Sequence, residues 1–390
     1  MEVYTFIQIV LLPFFTALLC VALVHPTMVR IALLKGIVDV PNARKLQRTP
    51  VPILGGVSVF LGIVVGLGVT SVFENCTDLF VVVMAATVML YMGIGDDILG
   101  LSPRIRFIVE ILMVLCLIGI GGYSLNDFHG LWGLELIPGW VAIPLTIFAS
   151  VGIINAINLI DGVDGLSSGF CIIACIMFGS LFYLSGDASM TILAALSAGA
   201  LVPFFFHNVY GKTSKMFIGD GGTLVLGVII SVFVIRMLQH DTPCGWYVDH
   251  GMGLIPFTLA VLSVPVFDTL RVMTARILRG HSPFLPDKTH LHHLFISLGF
   301  SHAGTTGVIL TLNTLVVLLW WAMYAAGASI DMQLYGVLIL GFLITTGLYY
   351  PLQNLNPSGR LHRILHHIGH KTHIERTGFI LWLQNLMDKM

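Results

Sequence analysis

Charge is scarce in this 390-residue chain. Only 10% of its residues are Asp, Glu, Lys or Arg, where a soluble domain carries roughly 25%. Hydrophobic residues make up 56% and the mean hydropathy is +0.93, which excludes an ordinary soluble fold. The formal net charge of -1 says little by itself, the distribution of charge says much more, and no nucleic-acid partner is expected. The six cysteines show no pairing by spacing. Cys171 and Cys175 stand four apart within an apolar run, which reads as helix packing rather than a metal or redox pair. Cys76 and Cys244 fall in connections on the same side, where a disulfide is the weaker reading. The first apolar run lacks a basic n-region and a small-residue cleavage site, so it reads as a span, not a leader. No internal repeat or inverted pair of halves is visible. Lys and Arg are missing altogether from the connections 74–78, 123–138, 186–189, 240–252 and 326–332.

What the chain does have is apolar runs near the ~20 residues that cross a bilayer. Eleven are expected: 3–24, 53–73, 79–95, 107–122, 139–157, 168–185, 190–207, 223–239, 253–271, 304–325 and 333–351. The fold class is therefore all-α, a polytopic membrane protein. With this count every basic residue except Arg236 falls on one side. The positive-inside rule then places the C-terminus and the basic loops in the cytoplasm and the N-terminus outside. Residues 1–351 form the membrane domain. Residues 352–390 form a His-rich tail whose apolar residues, Leu361, Ile364, Leu365 and Ile368, recur at helical spacing, as in a helix lying on a membrane surface. Trp132 and Trp140 suit an aromatic belt at the outer interface.

Polar residues cluster at the inner ends of the spans. Asn155, Asn158, Asp161 and Asp164 follow one another at intervals of three, so they share a ridge if the segment is helical. Gly162 and Gly165 would break that helix and let backbone approach a ligand. Asp96 and Asp97 end the third span, where a helix C-terminus disfavours acids unless a metal or Arg104 and Arg106 offset them. Asp220 sits between glycines before the eighth span, shortly after Phe217 and after His207 and Asn208. Lys45, with Arg44 or Arg48, is either a topological anchor or a ligand for an anion. Asp268 and Arg271 read equally as a structural pair or as headgroup ligands. His290, His292 and His293, near Arg276, Arg279 and Lys288, suit a phosphate better than zinc, since Asp287 is the only acid near and no cysteine is. Carboxylates that hold a hard cation such as Mg²⁺, ringed by Arg, Lys and His, would accept a multiply charged anion at a bilayer boundary.

Asp96-Asp97, the Asn155 to Gly165 run, the turn around Phe217 and Asp220, and the His290, His292, His293 cluster occur in that order over roughly residues 30–350. Together they resemble the polyprenyl-phosphate N-acetylhexosamine-1-phosphate transferases, the family of WecA, TagO and MraY, and its WecA-like branch most. Thr223 stands where the family usually has Ser. The resemblance implies transfer of N-acetylhexosamine-1-phosphate, GlcNAc-1-phosphate first among the options, from a UDP-sugar to undecaprenyl phosphate, with UMP released. Such a step begins O-antigen, common-antigen or capsule-type glycans at the bacterial inner membrane. It implies Mg²⁺, with Mn²⁺ as the alternative ion, and admits a homodimer. By the same resemblance, Asn158, Asp161 and Asp220 are metal candidates, and Asp96 and Asp97 handle the lipid phosphate. Lys45, Asp164 and Phe217, with Asn155 and Asn208, lie on the substrate side. His290, His292, His293, Arg276 and Arg279 hold the diphosphate or sugar, with Asp161 and His290 counted among the catalytic residues. The alternatives are an MraY-like transferase using a muramoyl-peptide nucleotide, and a nucleotide-sugar or lipid-linked-sugar transporter.

Overall fold

The computed structural model describes residues 2–40, 49–283, 287–373 and 377–389. Lys45, Arg44 and Arg48 lie outside the described residues. Apart from one antiparallel ladder pairing Val38–Asp39 with Val51–Pro52, the described regular structure is helical. In chain order the helices are α1 (Tyr4–Lys35), α2 (Gly55–Thr70), α3 (Thr77–Leu99), α4 (Pro103–Gly121), α5 (Gly139–Leu159), α6 (Leu166–Leu184), α7 (Ala188–Tyr210) and α8 (Gly219–Met237). They continue as α9 (Leu254–Val261 with Ser263–Leu278), α10 (Leu291–Ser297), α11 (His302–Ala325), α12 (Ile330–Gln353), α13 (Arg360–Lys371) and α14 (Gly378–Lys389).

Every expected span falls on a helix. Among the described residues, eight helices are long and apolar enough to cross a membrane, and the two parts of α9 make a ninth if they form one span. α2 is shorter, and α4 carries Arg104, Arg106 and Glu110 in its first half. The chain is an all-α polytopic membrane protein. Several helices outrun the apolar runs that announced them. α1 continues through Pro26 to Lys35, so Arg30 and Lys35 stand on a helix rather than in a loop. α3 runs on through Asp96 and Asp97, and α8 begins at Gly219, which puts Asp220 in its first turn. Hydrogen bonding along a helix does not stop where lipid stops.

α8 is the axis of the bundle. Every residue from Gly221 to Ile235 is buried, as expected for a helix apolar on all sides, and it packs against α2, α3, α5 and α6. Its first turn meets two neighbours backbone to backbone. A Cβ on Gly56 would lie 2.3 Å from the Gly222 nitrogen, and one on Gly93 would lie 2.3 Å from the Gly221 nitrogen. Small residues are what allow membrane helices to approach this closely.

α9 is bent by 75° at Leu262. Asn313 of α11 bridges the break. Its Nδ2 donates to the Val261 carbonyl at 2.9 Å, and its Oδ1 accepts from the Val264 N–H at 3.0 Å. Arg236, the one basic residue outside the inward set, donates to Asp187 at 2.8 Å at the opposite end of the bundle, so its charge is paired. Cys76 and Cys244 are both buried, free thiols, so the disulfide does not form.

The two glycine contacts are testable. Gly93→Ala drives a methyl into backbone and is expected to destabilise the protein by about 1–3 kcal/mol. Gly68→Ala, with nothing within 4 Å of its Cβ position, is expected to be neutral or to gain about 0.5–1 kcal/mol through helix propensity. Thermal unfolding of both variants in one detergent would show it; equal melting temperatures would refute the close packing.

Candidate active site

The acids gather at one end of the bundle around a cavity of about 450 Å³, lined by Asp97, Asn158, Asp161, Asp164, Asn208, Phe217, Asp220, His293 and His302 among others. Four separate stretches of sequence supply these side chains. Asp97 comes from the last turn of α3 and Asp220 from the first turn of α8. They are joined directly: the Asp220 N–H donates to Asp97 Oδ2 at 2.9 Å. Gly219 makes the join, since its φ is +70° and a Cβ there would lie 2.6 Å from the same oxygen. Asp96, one residue earlier, does not line the cavity, but its side chain reaches the Asp220 carboxyl. It accepts from the Leu101 N–H at 2.8 Å and lies 3.6 Å from Arg106.

The ridge expected of Asn155, Asn158, Asp161 and Asp164 holds only for its first half, because α5 ends at Leu159. Asn158 Nδ2 donates to Asp220 Oδ1 and to Thr223 Oγ1, both at 2.8 Å, so it orients the Asp220 carboxylate. Asn155, one turn back, is buried away from the cavity. It accepts from Arg106 at 3.0 Å and donates to Glu110 at 2.6 Å. Arg106 lies between the carboxylates of Asp96, Glu110 and Asp220, 3.9 Å from the last. Glu110 is fully buried in α4.

Asp161 and Asp164 sit in the turn that follows α5, which closes at Gly165 with φ +77°. Burial pushes the Asp161 carboxyl up to about 7, against the hydrogen bond it accepts from the Ser167 hydroxyl. Burial pushes Asp164 in the same direction. His302 at 3.0 Å and Lys215 at 2.6 Å outweigh it and hold this carboxyl below the ordinary range. Asn208 fastens the turn from α7, accepting from the Gly165 N–H at 2.7 Å and donating to the Met216 carbonyl at 2.9 Å. Phe217 lines the cavity, with the Lys215 ammonium 5.7 Å from its ring centre.

Of the histidines, only His293 of the cluster faces the cavity. Burial, then His290 and Lys288, lower it to about 4, and burial holds His292 well below its usual range. Both rings are neutral at pH 7, so they act as hydrogen-bonding groups rather than as cations. His292 presses on the acid turn: a Cβ on Gly162 would lie 2.2 Å from its Nε2. His290 is buried behind them, its Nδ1 2.9 Å from Asp268, which also accepts from Arg271 at 2.6 Å. Arg276 is buried and doubly bonded to Asp287 at 2.9 and 3.1 Å, and Arg279 is exposed. Neither reaches the cavity, so both arginines expected on an anion are elsewhere in the described structure.

Lys215, His302, Ser167 and Glu110 were not foreseen as site residues. Glu110 had a legible signal, an acid within an apolar span. The other three had none beyond being polar near a span end. The carboxylates of Asp97 and Asp220 are oxygen ligands of the kind that a hard cation takes. No cluster of three or more His, Cys, Asp or Glu that could hold a metal is present among the described residues.

Gly162→Ala is expected to displace His292 and to destabilise the protein by about 1–3 kcal/mol. The double variant Gly162→Ala with His292→Ala should recover part of that loss. Independent, additive effects on the melting temperature would argue against the contact.

The family model described as Glycosyl transferase family 4 matches residues 79–238, the stretch that runs from α3 to the end of α8. A probable undecaprenyl-phosphate N-acetylglucosaminyl 1-phosphate transferase of Bacillus subtilis (strain 168) is 31% identical over 301 residues, which is 77% of this chain and 81% of the relative. The undecaprenyl-phosphate alpha-N-acetylglucosaminyl 1-phosphate transferase of Yersinia pestis is 28% identical over 278 residues, 70% of this chain and 73% of the relative. That of Escherichia coli (strain K12) is 29% identical over 269 residues, 68% and 71%. With its acids on the ends of α3, α5 and α8 and a relative this close over more than two thirds of its length, the chain belongs to glycosyl transferase family 4.

Proposed function

We propose that this protein transfers N-acetylglucosamine-1-phosphate from UDP-N-acetylglucosamine to undecaprenyl phosphate, releasing UMP, at the cytoplasmic face of a bacterial inner membrane. The observation that carries the reading is the single cavity into which Asp97, Asp161, Asp164 and Asp220 converge at the end of the bundle that bears the basic loops. A carrier would hold its substrate nearer the bilayer midplane.

One phosphoanhydride is exchanged for another, so the barrier is the approach of two anions rather than a large driving force, and positioning and charge neutralisation supply the catalysis. Mg²⁺, when bound, neutralises phosphate oxygens as a Lewis acid. Asp97 and Asp220 are the side chains that would hold it, with Asp161 across the cavity. Asn158 keeps the Asp220 carboxylate aimed, and Arg106 balances part of the negative charge from behind. Phe217 offers a flat wall on which a base can stack. Asp164, fixed by Lys215 and His302, presents a carboxylate for donors on the nucleotide or sugar. His293 donates a neutral hydrogen bond toward phosphate. A phosphate monoester has a second pKa of about 6 and is already mostly ionised at pH 7, so Asp97 need not remove its proton.

Purified protein given labelled UDP-N-acetylglucosamine, undecaprenyl phosphate and Mg²⁺ should form labelled lipid, and Asp220→Asn should lower kcat by about 10²-fold or more. Lipid product in metal-free buffer would sink the mechanism. Because Asp161 titrates near 7 before a cation binds, protons compete with Mg²⁺ there. Apparent Mg²⁺ affinity should rise from about pH 6 to about pH 8 and level off above it. Asp161→Asn should flatten that slope.

A further inference from the structure

The last helix of the chain reaches back to the loop that carries Lys215 and Phe217. α14 packs on α7, and near its end Asp388 turns into residues 212–214. One carboxylate oxygen, Oδ1, accepts from the backbone N–H of Lys212 at 2.9 Å, of Thr213 at 2.9 Å and of Ser214 at 3.0 Å, and from the Ser214 hydroxyl at 3.0 Å. Three successive N–H groups that converge on one point form a cradle for an anion. The turn is tight enough to need Gly211, whose Cβ would lie 2.4 Å from the His207 carbonyl oxygen and 2.5 Å from Ser214 Oγ.

Ser214 is held from the other side as well. His25 Nε2 donates to its carbonyl at 2.9 Å, and His207 Nδ1 lies 3.0 Å from its hydroxyl oxygen, the two imidazoles stacked 4.2 Å apart. With the hydroxyl proton on Asp388, the oxygen is free to accept from His207. The second half of the loop has its own anchors. Asn208 donates to the Met216 carbonyl, and Pro52 accepts from the Phe217 N–H at 2.8 Å. Lys215 stands between these two sets of anchors, and its ammonium meets Asp164, a residue of the cavity wall. The first set depends on α14 for three of its backbone donors.

We propose that Asp388 is a positioning residue: the C-terminal helix latches the loop at residues 212–214 and thereby fixes Lys215 against Asp164, which lines the substrate cavity. In the nucleotide-sugar reaction, a reading on which this part of the inference rests, the latch acts on donor binding and not on the chemical step. Burial works against the Asp388 charge, but the backbone donors prevail and hold its carboxyl below the ordinary range, as a charge seated in a donor cradle requires.

The test compares full-length protein in nanodiscs with Asp388→Ala and with a chain lacking residues 378–390. Hydrogen exchange at the amides of residues 212–214 should quicken about tenfold or more in both variants. KM for UDP-N-acetylglucosamine should rise about three- to tenfold while kcat stays within about twofold. Asp388→Asn, which keeps an oxygen but loses the charge, should fall between. Unchanged protection of these amides in both variants would overturn the latch, and so would a loss of kcat with KM unaltered. The exchange measurement needs no turnover, so it separates failure of the latch from failure of the assigned reaction.

Discussion

The close approach of three backbones organises this molecule. Gly56 on Gly222 and Gly93 on Gly221 let α2 and α3 touch the first turn of α8 with no side chain between them. Within lipid there is no hydrophobic gain from bringing apolar helices together, so packing at van der Waals distance must supply the association. The same contact sets the chemistry. It places the end of α3 beside the start of α8, and the Asp220 N–H then falls within reach of Asp97. Glycine serves the scaffold and the site through one geometric fact.

Bringing carboxylates together in a poorly solvated place raises their energy unless something answers the charge. Here the answers differ by position. Asp164 has Lys215 and His302, Asp96 and Glu110 share Arg106, and Asp268 has Arg271 and His290. Among the described residues, Asp97 and Asp161 have only backbone or hydroxyl donors within hydrogen-bonding distance. These two acids, the least compensated of those named, both face the cavity, the pattern expected of groups whose counter-charge arrives with a ligand.

Much of this was legible in the sequence because the bilayer imposes simple rules. Apolar run length and the sorting of Lys and Arg put every expected span on a helix, and Asp97, Asn158, Asp161, Asp164, Asn208, Phe217, Asp220 and His293 all line one cavity. What the sequence misjudged were matters of direction. Asp96 and Asp97 are adjacent, yet on a helix they point about 100° apart, so Asp97 lines the cavity while Asp96 meets Arg106 and the Asp220 carboxyl. Asn155 and Asn158 share a ridge, but Glu110 draws the first toward α4. Arg276 looked like an anion ligand until Asp287, eleven residues on, folded back to claim it. Lys215 and His302 were invisible because their partner, Asp164, is distant in sequence. The loop holding Lys45 lies outside the described residues, though the ladder at its base brings Asp39 to the cavity wall.

The break in α9 has a consequence for how the protein tolerates its surroundings. A helix interrupted at membrane depth normally leans on water or on headgroups to satisfy the freed amide and carbonyl. Asn313 meets both needs with one side chain, standing in for a solvent molecule that can neither diffuse away nor be displaced by lipid. The corner at Leu262 is thus a fixed elbow and not a joint. The direction in which the chain turns there is set from α11, by a side chain that belongs to the protein and not to the bilayer around it.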